Sequence, residues 1–467
     1  MEIASASPIS ASRPRSAWSG VAVVLLVGYL CMGRSFAYWG IPPLHIFVGE
    51  IVLAWFVLSG PRVRAGRWLW RALKTPSLLS YTKPFLVFLA FGIFEVVHGI
   101  VSGHPSLDAL RDLAFNYYPL YFFLGLWIGA RDDRFLPGFF RIAAWINGIY
   151  GVLFILLLSN SSWFFPGVSQ DVAPVPIFGQ PSYSAAILLG LLSYEKNLRR
   201  VWPLLFLNTV VMLGMLIRAE WVAFGIGVLV WAWLTRNLKR VALAGLFVLL
   251  IFVLMYVTSF SYQGPETRGG TISVDDLVGR VIAPFNSDLA SDYTSDVQLY
   301  EGTTVWRAVW WLAIWNDAHQ NYIRALLGHG YGFPLNELVP YLKDSATRTP
   351  HNVFFYALGY TGWIGVLVFT AFQAVMGRLL WRAYRKSGQP FGIVFWASML
   401  AFALFTPFFE TPQGAIPFYL VSGCAYAAAV RTRRKVPAAE RALPGSSDRS
   451  VRRSGSISGP FGTEATS

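Results

Sequence analysis

The chain has 467 residues, of which 55% are apolar and only 13% charged, with a mean hydropathy of +0.49. A soluble domain carries about 25% charged residues, so this composition excludes one large water-soluble core. The net charge of +14 does not point to nucleic acid, because the Lys and Arg lie mostly in short segments between apolar runs. The two cysteines, Cys31 and Cys424, both fall in apolar runs, which excludes a disulfide framework or a cysteine metal cluster.

Taken in order, the apolar runs predict an all-α polytopic membrane protein with twelve spans, near 18–33, 43–60, 84–101, 116–130, 138–159, 181–194, 201–217, 219–235, 241–258, 352–376, 391–408 and 413–430. The basic residues test this layout. With the N-terminus inside, 29 of the 38 Lys and Arg fall on the inner side and every inner loop is basic. That is the positive-inside pattern, with both termini in the cytoplasm. The first apolar run follows Arg13 and Arg15 and has no small-x-small cleavage site after it, so it reads as an uncleaved span. The layout divides the chain into a cytoplasmic tail (1–17), nine spans (18–258), one large periplasmic loop (259–351), three spans (352–430) and a disordered Arg-, Ser- and Gly-rich cytoplasmic tail (431–467).

Ionisable residues in or beside the outer half of the membrane are the candidates for chemistry. Glu50 and Glu95 lie inside predicted spans, and His45, His98 and His104 near outer ends or within a span; each reads either as a packing or interfacial residue or as a functional group. Arg218 sits at the outer tip of two spans with almost no loop between them. Its guanidinium is met either by Glu220 or by a phosphate from outside, since Arg offers a planar fork that keeps its charge. Arg307 lies in a Trp-rich helical pattern and is either packed on Trp311 at i,i+4 spacing or a second phosphate clamp. Arg111 is a third candidate, with Asp108 and Asp112 as structural partners beside it. His351 stands between the only long polar segment and a new apolar run, followed at once by Asn352. An imidazole there either starts a helix or serves as a general base at neutral pH. The sequence has no phosphate-binding Gly-x-x-x-x-Gly-Lys-Ser/Thr, no His-Glu-x-x-His and no Gly-x-Ser-x-Gly.

The run Pro350-His351-Asn352, then Leu358-Gly359, Gly362 and Gly365, resembles the signature of the O-antigen ligase and O-antigen polymerase family. So do Arg307 with Trp311, the run Leu-Leu-Gly-His-Gly-Tyr-Gly at 326–332, Gly179-Gln-Pro-Ser at the head of the sixth span, and Arg218 between two short spans. Two positions depart from the pattern: Ile217-Arg218-Ala219-Glu220 replaces Ser/Thr-Arg-Gly, and Gln180-Pro181 stands where Pro-Asn is usual. The resemblance implies a GT-C-like glycosyltransferase on the outer face of the bacterial inner membrane. It implies a polyprenyl-diphosphate-linked glycan as donor and a glycan or lipid as acceptor, with no cofactor and no metal. By that resemblance Arg218 and Arg307 would hold the diphosphate and His351 would activate the acceptor hydroxyl; Arg111 and Asn352 stand beside them as candidate substrate contacts, with pairing to Asp108 and Asp112 the structural reading for Arg111. Ligase and polymerase share the donor and differ in acceptor. The rival from another class is a transporter or flippase of lipid-linked oligosaccharides, which predicts mid-span ionisable residues and paired repeats.

Overall fold

The computed structural model describes residues 17–41, 46–59, 76–159, 161, 163–165, 175–264, 271–343 and 348–432. The two tails, the basic segment 60–75, the glycines at 269 and 270 and His45 lie outside the described residues. Elsewhere the chain is mostly helical, and its strands are two antiparallel pairs of two residues each, Gly40–Ile41 with Ile46–Phe47 and Tyr262–Gln263 with Thr271–Ile272.

A helix lies under each of the twelve predicted spans. Four are long and apolar enough to cross a membrane unaided: 82–101, 135–158, 353–387 and 412–431. Six more apolar helices are shorter, including Ala17–Met32, Trp202–Gly214 and Phe391–Phe402. The fourth expected span is broken: Pro119, which has no amide to donate, sits in a 3-10 turn (Tyr118–Leu120) between Ala114–Tyr117 and Tyr121–Gly129. The tenth runs eleven residues past its expected end, to Ser387, and kinks at Gly362 where φ is +60°. Many apolar side chains remain exposed, among them Leu246, Leu249, Leu250, Val253 and Leu254 on the Leu238–Val257 helix. Such a face suits a hydrocarbon environment. The length and composition of these helices make this a membrane protein.

Lipid tails are as apolar as Leu, so helices in a membrane associate through close packing and polar ties. Both devices are present. Gly125 and Gly129 lie four residues apart on one helix, and Gly423 lies on the helix Pro412–Thr432 packed against it. A Cβ at any of the three would enter the facing helix backbone. A buried triad joins three further helices: Asn147 Nδ2 donates to Ser184 Oγ and to Asn208 Oδ1, both at 2.9 Å, and Asn208 Nδ2 donates back to the Ala144 carbonyl. Glu50 likewise accepts from the hydroxyls of Tyr117 (3.0 Å) and Tyr118 (2.7 Å).

The long polar segment folds into helices of its own, Val274–Ile282, Ser287–Ser291, Val297–Ala318 and Tyr322–Leu327. Ser273 caps the first by accepting from the Asp276 amide at 3.1 Å. Two buried charges on that helix, Asp276 and Arg280, pair at i,i+4 spacing (3.3 Å). Val274–Ile282 packs on Val297–Ala318, which packs on the long Val353–Ser387 helix.

Candidate functional site

His351 stands two residues before the first residue of the Val353–Ser387 helix, and the turn that holds it is fixed from several sides. Asn352 caps the helix, its Oδ1 accepting from the amides of Phe354 (2.9 Å) and Phe355 (3.3 Å). The Asn352 Nδ2 donates to the Leu404 carbonyl at 3.0 Å, and the Val353 amide to the Ala403 carbonyl at 3.1 Å. On the other side of His351, the Trp311 indole N–H donates to the Pro350 carbonyl at 2.7 Å, and Arg348 pairs with Asp108. Held between these ties, His351 itself has φ +56°. A β-carbon is disfavoured there, and such strain costs about 1–3 kcal/mol and concentrates at functional sites. The Asn352 amide, expected as a substrate contact, is engaged by the helix cap and by Leu404, so its visible work is to hold the turn.

The ring of His351 is half-buried, and Nδ1 lies 2.9 Å from the Thr349 carbonyl. A carbonyl only accepts, so this contact assigns the proton to Nδ1 and leaves Nε2 as the basic nitrogen. The imidazole meets the edge of Trp306 with ring centroids 5.2 Å apart, and the Arg307 guanidinium lies 5.3 Å from the centroid of the same indole. Arg307 and His351 therefore each lie against Trp306. Trp311, the partner expected from i,i+4 spacing, is instead stacked on Phe355 (5.4 Å) and bonded to Pro350.

Arg218 begins the Arg218–Thr235 helix after a three-residue link in which Leu216 takes φ +57°. Its Nη1 donates to the Arg280 carbonyl at 3.3 Å. Glu220, two residues on, is buried and accepts from the Ala185 amide at 2.9 Å. Arg218 thus joins the Arg307 helix through Val274–Ile282, one helix away from the Trp306 cluster. Arg111 is exposed. The partner expected for it, Asp108, is taken by Arg348, and Asp112 accepts from the Gly332 amide at 2.9 Å. Burial pushes the Asp112 carboxyl up to about 6, against the pull of Arg348, the Gly332 amide and Arg111.

The glycines of 326–332 serve the backbone. Gly328, Gly330 and Gly332 all have positive φ, and a Cβ on each would meet the backbone of Tyr360, Gly99 and Ala109 respectively. The His329 and Gly330 amides donate to the carbonyls of Gly359 (3.1 Å) and Tyr360 (2.8 Å), and the Tyr331 amide to that of Glu95 (3.1 Å). This loop is a junction between the His351 helix, the Pro76–Val101 helix and the Ser106–Asp112 helix. The kink at Gly362 completes it, because a side chain there would strike the backbone at Leu326.

Two features were missed in the sequence. Arg348 lies three residues before His351 and anchors the turn. His329 Nε2 lies 2.6 Å from Asp317 Oδ2, while Arg324 Nη1 donates to Asp317 Oδ1 at 2.8 Å. Burial raises the Asp317 carboxyl, but the His329 hydrogen bond and charge together with Arg324 outweigh it and hold the pKa below the usual range. The i,i+12 spacing of Asp317 and His329 has no helical or strand period, so only the loop's return makes the pair. Among the described residues no group of three or more His, Cys, Asp or Glu is placed to hold a metal ion.

Residues 203–370 match the family model described as O-antigen ligase. The matched segment contains Arg218, Arg307, His351, Asn352 and the glycine loop, and leaves out Arg111. No curated protein matches the chain. The family match covers 168 of the 467 residues, and over that segment the chain is similar to the O-antigen ligase family.

Proposed function

We propose that this membrane protein transfers a glycan from a polyprenyl diphosphate to an acceptor hydroxyl at the outer face of the inner membrane. On this reading the twelve helices span the bilayer, both termini and the basic loops lie in the cytoplasm, and residues 259–351 form the periplasmic part. The observation that carries the reading is the strained His351, set with Arg307 around Trp306 inside the family-matched segment.

His351 Nε2 takes the proton of the acceptor hydroxyl as its oxygen attacks the anomeric carbon. The bond from that carbon to the phosphate oxygen breaks, and the polyprenyl diphosphate leaves with the electron pair. Attack opposite the leaving group inverts the anomeric centre. Arg307 and Arg218 receive the diphosphate and stabilise its growing charge, which fixed cations do well in a site of low dielectric. A diphosphate is already a good leaving group, so two guanidiniums take the place of a metal.

The test uses purified protein in vesicles with a polyprenyl-diphosphate-linked glycan and acceptor. Transfer should persist in excess chelator and be lost in R307Q and R218Q. An R307Q variant with full activity would remove the diphosphate assignment. Product analysis in a deletion strain separates the two branches: accumulated lipid-linked polymer marks a ligase, and accumulated single repeat units mark a polymerase.

A further inference from the structure

The opposite end of the same helices holds a cavity that the transfer reaction does not use. It measures about 690 Å³ and lies where the Arg218–Thr235 helix ends, the Leu238–Val257 helix begins and the Val353–Ser387 helix finishes. Trp233, Arg236, Leu238, Trp381, Tyr384 and Arg385 line it. Arg236 closes its helix in the left-handed conformation (φ +54°), and the Tyr384 hydroxyl donates to the Leu234 carbonyl at 2.8 Å, stitching two of the helix ends together. Trp233 and Trp381 stack with centroids 5.8 Å apart.

We infer that this cavity binds the phosphate headgroup of an anionic phospholipid. The charge is the first ground. The lining elements between residues 228 and 258 and between 376 and 390 carry Arg236, Lys239, Arg240, Arg378, Arg382, Arg385 and Lys386 and not one Asp or Glu. Neither Arg236 nor Arg385 takes part in an ion pair among the described residues. The inner segments outside the described residues, 60–75 and the two tails, are themselves rich in Lys and Arg. The charge of the lining elements suits an anionic occupant.

The second ground is the rim. Trp233 is 69% exposed and Leu229, one turn back on the same face, is 68% exposed. Leu238 is 71% exposed on the neighbouring helix. Paired Trp beside Arg at a helix end is the arrangement of a membrane interface, and the apolar rim offers a track for an acyl chain that inorganic phosphate has no use for. The inference rests on the proposed topology, which sets this cavity at the inner bilayer edge.

The test is independent of catalysis and is run on both wild type and H351A. Delipidated protein in a neutral detergent is titrated with phosphatidylglycerol, with phosphatidylcholine of the same chains, and with inorganic phosphate. Retained lipid is read by native mass spectrometry and stabilisation by melting temperature. Phosphatidylglycerol should be retained and raise the melting temperature, while phosphatidylcholine at equal concentration is not retained. Each arginine near an anionic headgroup contributes about a fivefold gain in affinity, so R236Q/R385Q should bind about thirtyfold more weakly and R236K/R385K should recover much of the loss. Equal retention of the two lipids by the wild type overturns the inference whether or not the variants fold. Inorganic phosphate protecting as well as the lipid overturns the lipid assignment. Lipid binding retained in H351A while transfer is lost would show the two sites failing separately.

Discussion

The two ends of the Val353–Ser387 helix are built on opposite principles. At the N-terminal end the chain is over-determined: Asn352, Trp311, Arg348, Ala403 and Leu404 all hold the turn, and His351 sits among them at φ +56°. At the C-terminal end, Gly388 closes the helix at φ +72° without strain for a residue lacking a β-carbon, and the nearby Arg385 is exposed. Reaction chemistry needs a side chain held against its backbone preference, and only a dense set of ties can hold it. Capture of a mobile anion needs charge and open space, and few ties suffice. On the proposed topology a single helix carries both solutions because its ends face opposite sides of the membrane.

The largest effect should come from removing the group that the ties exist to hold. His351→Ala should lower transfer by about 10²–10⁴-fold, the usual contribution of a general base. The companion variant sharpens the comparison. His351→Gly should be as inactive as the alanine variant but about 1 kcal/mol more stable, because glycine takes positive φ without cost and alanine does not. Melting curves of the two variants check this. If the alanine variant is the more stable, the turn is not strained at this residue.

Next come the ties. Asn352→Ala removes the helix cap and the bond to Leu404, and should cost about 1–2 kcal/mol of stability. Transfer should fall with it, as the imidazole loses its fixed bearing. Asn352→Asp keeps the acceptor for Phe354 and Phe355 but loses the donor to Leu404, so it should recover part of the stability. A variant at which transfer and stability both stay at wild-type values would show that the turn holds without its cap.

A smaller, pH-dependent effect belongs to Asp112, which faces Arg348, Arg111, Asp108 and the Gly332 amide. Its folded pKa of about 6 lies above the ordinary value of about 3.9. The folded state therefore binds this proton more tightly. The stability it contributes is complete below pH of about 4 and is lost as pH rises through about 6. Asp112→Asn should flatten the melting temperature between those limits. An unchanged slope would assign the dependence to another group.

The helices were legible because apolar runs of that length report themselves directly, and the proposed site was legible as a list of residue types, His351 and Arg307 among them. The partners were not. Helical spacing placed Arg307 beside Trp311, but Trp311 is drawn off by the Pro350 carbonyl and the face of Phe355, leaving Trp306 to the guanidinium. Adjacency placed Arg111 beside Asp108, yet Arg348 reaches that carboxylate from 240 residues away. Local spacing lists the possible neighbours of a charge, and tertiary contacts choose among them. The glycine loop shows the same limit from another side: its three positive-φ residues were visible as a motif, but the three helix backbones they approach were not.

Arg111 gives the smallest expected effect and the cleanest contrast with Arg348. Both are guanidiniums near Asp108 and Asp112. Arg348 forms the ion pair and is half-buried at the turn that holds His351, whereas Arg111 is exposed on the short Ser106–Asp112 helix. An exposed cation contributes little through screened charge alone. Arg111→Gln should therefore change stability by less than about 0.5 kcal/mol and leave transfer within about twofold. Arg348→Gln should loosen the His351 turn and reduce the rate of transfer at saturating donor, without weakening donor binding to match. The reverse result, a rise in the donor concentration needed by R111Q with its maximal rate intact, would return Arg111 to the substrate and make Arg348 the bystander.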